Sequence, residues 1–468
     1  MKLLENYRAD GEFVLSNARM IIDGQMTRGW VRVADGMIEE VGTDEIPMAQ
    51  MAHFSYNQIE VIDCFGRLLM PGVIDEHVHF RDPGLTHKAD MATESRAAVA
   101  GGVTSFIDMP NTNPAAVTIA DVEAKRRRAS EVSLANYGFF IGATNDNLSE
   151  LMMADFTRIA GVKLFLGSST GNMLVDSDST ISRIFRDVKA LIAVHAEDES
   201  EIAAGRAKAR EEYGDNPPVK AHPQIRSAEA CYKATKRAVE MARATKARLH
   251  VMHVSTEREL EFFAPGPIEK KNITCETCPQ YLLFSDEDYD RLGARIKCNP
   301  AIKSPSDRSA LRRAVASGVI DVIATDHAPH LLREKQGSAF TAVSGMPMIQ
   351  FSLPVMLTLA GEGVVDYAKV EELMCNNPAR LFNIDRRGFI RKGYYADFVL
   401  VDTDCEPYTV WPDMIESRCR WSPLEGEKLT AKVVATWVNG RIVYADGEVI
   451  SGAPCGKALR FAPRSKKD

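Results

Sequence analysis

Eight short apolar runs recur through the middle of this chain: Val73–Asp75, Val103–Asp108, Tyr137–Ile141, Val162–Leu166, Leu191–Val194, Leu249–Val251, Ile273–Thr277 and Ile320–Ala324. Stretches with helical periodicity, such as Ile119–Arg128 and Ala228–Thr245, lie between most of them. Strand-length runs alternating with helices predict βα units and a parallel sheet. Eight such units over roughly 250–300 residues fit either a (β/α)8 barrel or a doubly wound open sheet. The residue that closes each run decides between the two.

The first run ends in His77-Val-His79. On a strand, residues two apart share a face, so both imidazoles project together. The fourth run carries Lys163, the fifth is closed by His195, the sixth by His253 and the eighth by Asp326. With only ten histidines in the chain, chance rarely puts so many at strand ends. In a barrel all these ends converge on one face, where active sites form. In an open sheet the first and eighth strands lie too far apart to share a ligand. The expected core is therefore a (β/α)8 barrel over residues 71–385.

Four histidines, an aspartate and a lysine exceed what one tetrahedral zinc ion needs. Two bridged metal ions account for the surplus. An ammonium beside two dications would be repelled, but Lys163 that captures CO2 becomes a carbamate, an anion with two oxygens that can bridge them. Its apolar setting, Ala160-Gly-Val-Lys-Leu-Phe-Leu166, sets it apart from an exposed lysine. Arg81 lies two residues past His79, and Asn111 follows the second run in Met109-Pro-Asn-Thr-Asn-Pro114. Arginine forks onto carboxylates and asparagine adds a directional donor, so the expected substrate is a small anion. Asn299 and His330 are further candidates to touch it.

A chain of 468 residues is too long for one simple core. Short β-like runs (Phe13–Ser16, Trp30–Val33, Met37–Val41, Gln58–Ile62) suggest a small antiparallel unit at the front, and the same texture returns in Asp397–Asp402 and Lys432–Gly440. Both ends could pair into one discontinuous domain, residues 1–70 with 386–468. A net charge of -7 argues against nucleic acid as a partner. No apolar run reaches membrane-spanning length, so no membrane partner is expected. Nine scattered cysteines read as reduced thiols and point to the cytoplasm. The polar start Met1–Arg8 does not read as a signal peptide, and Arg464–Lys467 reads as a solvated tail.

The strings His77-Val-His-Phe-Arg-Asp-Pro-Gly84, Met109-Pro-Asn-Thr-Asn-Pro114 and Asp326-His-Ala-Pro-His330, with Asn377-Pro-Ala-Arg-Leu-Phe382, resemble the dihydroorotases of the amidohydrolase superfamily over nearly the whole chain. That resemblance implies a barrel with a small β-sandwich built from both chain ends. It implies two Zn2+ ions, one on His77, His79 and Asp326 and the other on His195 and His253, with carboxylated Lys163 between. Arg81, Asn111 and His330 would then hold a substrate carboxylate, Asn299 the pyrimidine ring, and Asp326 would be the general base. The implied reaction is the reversible cyclisation of N-carbamoyl-L-aspartate to L-dihydroorotate, and a homodimer is compatible with it. Cys275–Leu282 reads more like hydantoinases and dihydropyrimidinases, and its CxxC lacks the second pair a zinc site needs. Lys303 stands where many relatives carry arginine, and Gly337–Pro347 is expected to form a mobile loop over the site. The alternatives are another cyclic amidase (hydantoinase, dihydropyrimidinase or allantoinase) and a non-catalytic scaffold; the six retained ligand residues weigh against the scaffold.

Overall fold

The computed structural model describes residues 11–22, 24–167, 173–175, 177–450 and 453–462. The segments Met1–Arg8 and Arg464–Lys467 lie outside them. Each apolar run contributes a strand: β1 (Val73–Val78), β2 (Val103–Asp108), β3 (Asn136–Phe139, resumed at Ile141–Gly142), β4 (Val162–Phe165), β5 (Leu191–His195), β6 (Arg248–Val251), β7 (Ile273–Thr277) and β8 (Val322–Ile323). Neighbours pair in parallel in that order. All six residues of β1 are buried, which is why these strands read as apolar runs and not as alternations.

The ring closes between β8 and β1. Val78 bridges His327 in parallel, and His79 N–H donates to His327 O at 2.8 Å. The Thr325 hydroxyl donates to Asp75 Oδ2 at 2.6 Å. The outer helices start where their side chains dictate. Thr118 and Asp121 cap Ile119–Val132 reciprocally, and Ser227 caps Ala228–Thr245. The latter buries Ala230, Ala234, Ala238 and Ala242, a small-residue stripe that lets the helix approach the strands closely.

Both chain ends enter one nine-stranded sheet. They meet where Phe398–Asp402 runs antiparallel to Leu68–Pro71. Hairpins turn at Asp35-Gly36, Asn439-Gly440 and Asp446-Gly447, all six residues having positive φ, the requirement of two-residue turns that match strand twist. Leu15, Leu69, Phe398, Leu400 and Trp437 fill the core of this β-rich unit. The sheet is not wholly antiparallel, contrary to the expectation for the front of the chain. Phe13–Ser16 pairs in parallel with Glu60–Asp63 because the helix Met48–Tyr56 carries the chain back between them. A buried joint ties sheet to barrel: Asp397 accepts from Arg387, from Asn136 Nδ2 at 3.2 Å and from the Asn439 N–H at 2.7 Å. All nine cysteines are unpaired. Among the described residues no helix is long and apolar enough to cross a membrane.

Candidate active site

All ten residues singled out from the sequence line one cavity at the C-terminal ends of the barrel strands, together with Phe165, Ala328, Ser344 and Gly345. Three of them, Arg81, His253 and Asp326, have φ of 64°, 44° and 48°. The left-handed region is costly for residues with a Cβ and persists where surrounding structure over-determines it, commonly at functional sites. Each of the three follows the end of a strand, and the reversal there turns the chain over the barrel mouth.

The His77–His79–Asp326 group is defined by what holds the far side of each ring. His77 Nδ1 lies 2.5 Å from Glu276 Oε1, and His79 Nδ1 lies 2.7 Å from Asn111 Oδ1. Carboxylate and amide oxygens accept, so both Nδ1 atoms carry hydrogen and both Nε2 atoms present lone pairs. Those lone pairs face Asp326 Oδ1 at 3.3 and 3.0 Å. Three acceptors aimed at one point repel each other unless a metal cation or a proton on His77 sits among them. Burial opposes charge on His77, but Glu276 and Asp326 outweigh it and raise its pKa above the ordinary value. Burial wins at His79, whose pKa falls to about 4. The donor set fits a divalent metal, with the other ring nitrogens fixed as ligating histidines require.

His195 Nδ1 and His253 Nε2 approach to 2.9 Å and make a second converging pair. His195 Nε2 donates to Glu197 Oε2 at 3.0 Å, and Arg226 holds the same carboxylate. Lys163 reaches between the two groups. It is buried, its Nζ lies 2.6 Å from Met252 Sδ, and it makes no ion pair among the described residues. Burial pushes its pKa down to about 8, so its neutral, nucleophilic amine is accessible near neutral pH.

Arg81 faces the same cavity. Its Nε donates to Pro329 O at 3.1 Å, and it makes no ion pair among the described residues. Burial lowers its pKa to about 10, which leaves it a cation at neutral pH. Asn111 Oδ1 accepts from His79 Nδ1, which ties this side chain to the converging histidines. Asn299 Oδ1 lies 3.2 Å from His222 Nε2. The segment 337–347 is anchored next to its start by Lys335, whose Nζ donates to Lys297 O, Val343 O and Gly345 O at 2.9, 2.9 and 2.6 Å.

The sequence reading missed a buried polar layer beneath these ligands. His250 Nε2 lies 3.0 Å from Glu76 Oε1 and 3.4 Å from Glu276 Oε2, while its Nδ1 meets Thr274 Oγ1 at 2.8 Å. Burial opposes charge on His250, but the two glutamates outweigh it and push its pKa up to about 9. The protonated ring therefore neutralises the glutamate that orients His77. The available signal was a charged residue inside a strand that is otherwise uncharged, as Glu276 is in Ile273–Thr277.

Residues 68–443 match the amidohydrolase family. A dihydroorotase of Halobacterium salinarum is 36% identical over 390 residues, 82% of this chain and 87% of that protein. An allantoinase of Streptomyces avermitilis is 32% identical over 460 residues, 97% of this chain and all of that protein (100%). Among solved structures, the L-hydantoinase (dihydropyrimidinase) of Arthrobacter aurescens superposes with a TM-score of 0.87 at 26% identity, covering 97% of this chain and 100% of that one.

Proposed function

The chain belongs to the amidohydrolase family, and from that premise we propose that it is a dihydroorotase, interconverting L-dihydroorotate and N-carbamoyl-L-aspartate. Its relatives are named for opening cyclic amides, and the choice among their substrates rests on Arg81. A buried guanidinium with no ion pair among the described residues, beside converging histidines, calls for an anionic group on the substrate. Dihydroorotate carries a carboxylate; hydantoin and allantoin do not.

We assign His77, His79 and Asp326 to one zinc ion and His195 and His253 to a second, with carboxylated Lys163 between them. When bound, the metals polarise the ring carbonyl and make hydroxide available near neutral pH. Asp326 accepts the proton of the attacking water and delivers it to the departing ring nitrogen; in the direction of synthesis the two transfers reverse. Arg81, Asn111 and His330 hold the carboxylate, and Asn299 holds the ring. We place the barrel at 71–385 and the β-rich domain at 1–70 with 386–468.

The test is turnover of L-dihydroorotate, hydantoin, dihydrouracil and allantoin by zinc-loaded protein. The dihydroorotase assignment requires L-dihydroorotate to be the preferred substrate. Preference for allantoin or hydantoin moves the protein to the second reading, which the allantoinase relatives and the hydantoinase-like stretch Cys275–Leu282 favour.

A further inference from the structure

Behind the residues assigned to the substrate carboxylate stands a cation outside the ten. Lys88 follows β1 in Pro83-Gly-Leu-Thr-His-Lys88. Its Nζ lies 3.1 Å from His330 Nδ1 and 2.9 Å from Glu334 Oε1. On the opposite side of the ring, Arg81 Nη2 comes within 2.9 Å of His330 Nε2. Ammonium and guanidinium groups only donate, and a neutral imidazole has a single accepting nitrogen. The ring can therefore accept from one of these cations and not from both.

Burial, together with Arg81, Lys88 and Lys335, holds the His330 pKa well below its ordinary value, with the Ser344 carbonyl pulling the other way. His330 is neutral. Lys88 is fixed between Glu334 and the ring, so Nδ1 accepts from it and Nε2 carries the hydrogen. Arg81 Nη2–H is then left facing another N–H. An anionic oxygen entering between them accepts from both.

We infer that Lys88 is a positioning residue that sets the His330 tautomer, so that His330 Nε2–H and Arg81 Nη2–H together select an oxyanion on the substrate. This rests on the carboxylate-bearing substrate proposed for the site. Lys88 touches no reacting atom; it acts on binding through His330. Its loss should therefore appear in KM and spare kcat.

Lys88→Met and Lys88→Arg are compared with wild type in the zinc-loaded enzyme, using L-dihydroorotate as the probe. Lys88→Met is expected to raise KM about tenfold with kcat within about twofold. Lys88→Arg, which keeps a donor, should recover most of that loss. Ring-15N histidine NMR, with His330→Gln used for assignment, should find Nδ1 of His330 unprotonated in the wild type and a changed tautomer balance in Lys88→Met. Unchanged kinetics in Lys88→Met overturn the inference. So does a fall in kcat at constant KM, or a loss of zinc in both variants. If wild-type protein opens hydantoin but leaves L-dihydroorotate untouched, the substrate assignment itself is overturned before any variant is compared.

Discussion

Arg81→Met should cut kcat/KM for L-dihydroorotate by about 30- to 1000-fold, since a buried charge-assisted bond to a carboxylate contributes roughly 2–4 kcal/mol. Zinc content should stay the same, because Arg81 bonds to Pro329 O and lies against His330 Nε2, and neither of these is a converging ligand. Full activity in the variant refutes the carboxylate role. Glu276→Gln probes the opposite side of the site. Glutamine can turn its amide N–H toward His77 Nδ1, removing the acceptor that aims Nε2 into the cavity. Zinc affinity measured by chelator competition should weaken about 10- to 100-fold, and an unchanged affinity means that Glu276 only fills space. These two residues also mark how far the sequence could be read. Arg81 was visible because it follows a run already marked by His77 and His79. Glu276 was hidden because its partners His77 and His250 come from other strands, and only closure of the barrel brings the three together.

The eight barrel strands were legible because burial on both faces makes each a continuous apolar run. The helix Met48–Tyr56 was not: Met48 and Tyr56 are 91% and 88% exposed, it buries only Phe54, and no side chain caps its start, so no periodicity announced it. Without that helix the parallel pairing of Phe13–Ser16 with Glu60–Asp63 could not be foreseen, since parallel neighbours need a crossover. A different buried group makes an element testable by pH. Glu371 ends the short helix Tyr367–Glu371, and its Oε2 has no hydrogen-bond partner among the described residues. Burial raises its pKa from 4.5 to about 8. The folded protein thus holds this proton where the unfolded chain has released it, so Glu371 lowers stability as pH rises from about 4.5 to 8. The full shift corresponds to at most about 5 kcal/mol. Glu371→Gln should flatten that part of the stability profile and melt higher than wild type at pH 8, compared by thermal unfolding at pH 5 and pH 8. Parallel profiles for the two proteins would sink the assignment.

At the scale of the molecule, the candidate ligands come from β1, β4, β5, the turn after β6 and the turn after β8, so a loaded site ties together strands from around the whole ring. The barrel closes between β8 and β1 through Val78, His327, Thr325 and Asp75, next to the place where His77, His79 and Asp326 converge. Opening that seam separates the ligands of one ion, so ions that bind the closed ring must stabilise it by linkage. The size of the effect counts them. Each ion bound only by the folded state adds about 1.4 kcal/mol of unfolding free energy per tenfold rise in free zinc, so two ions add about 2.7 kcal/mol. Urea unfolding at buffered zinc concentrations, in bicarbonate to favour the Lys163 carbamate, should show the steeper slope. Lys163→Ala removes the proposed bridge and should lower the slope toward that of one ion, while His77 and His79 keep their partners Glu276 and Asn111. A slope near 1.4 kcal/mol per decade in the wild type refutes the two-ion assignment. A slope of zero refutes metal binding at the converging histidines altogether, and the charge at Asp326 would then have to be balanced by a proton on His77, whose pKa is raised.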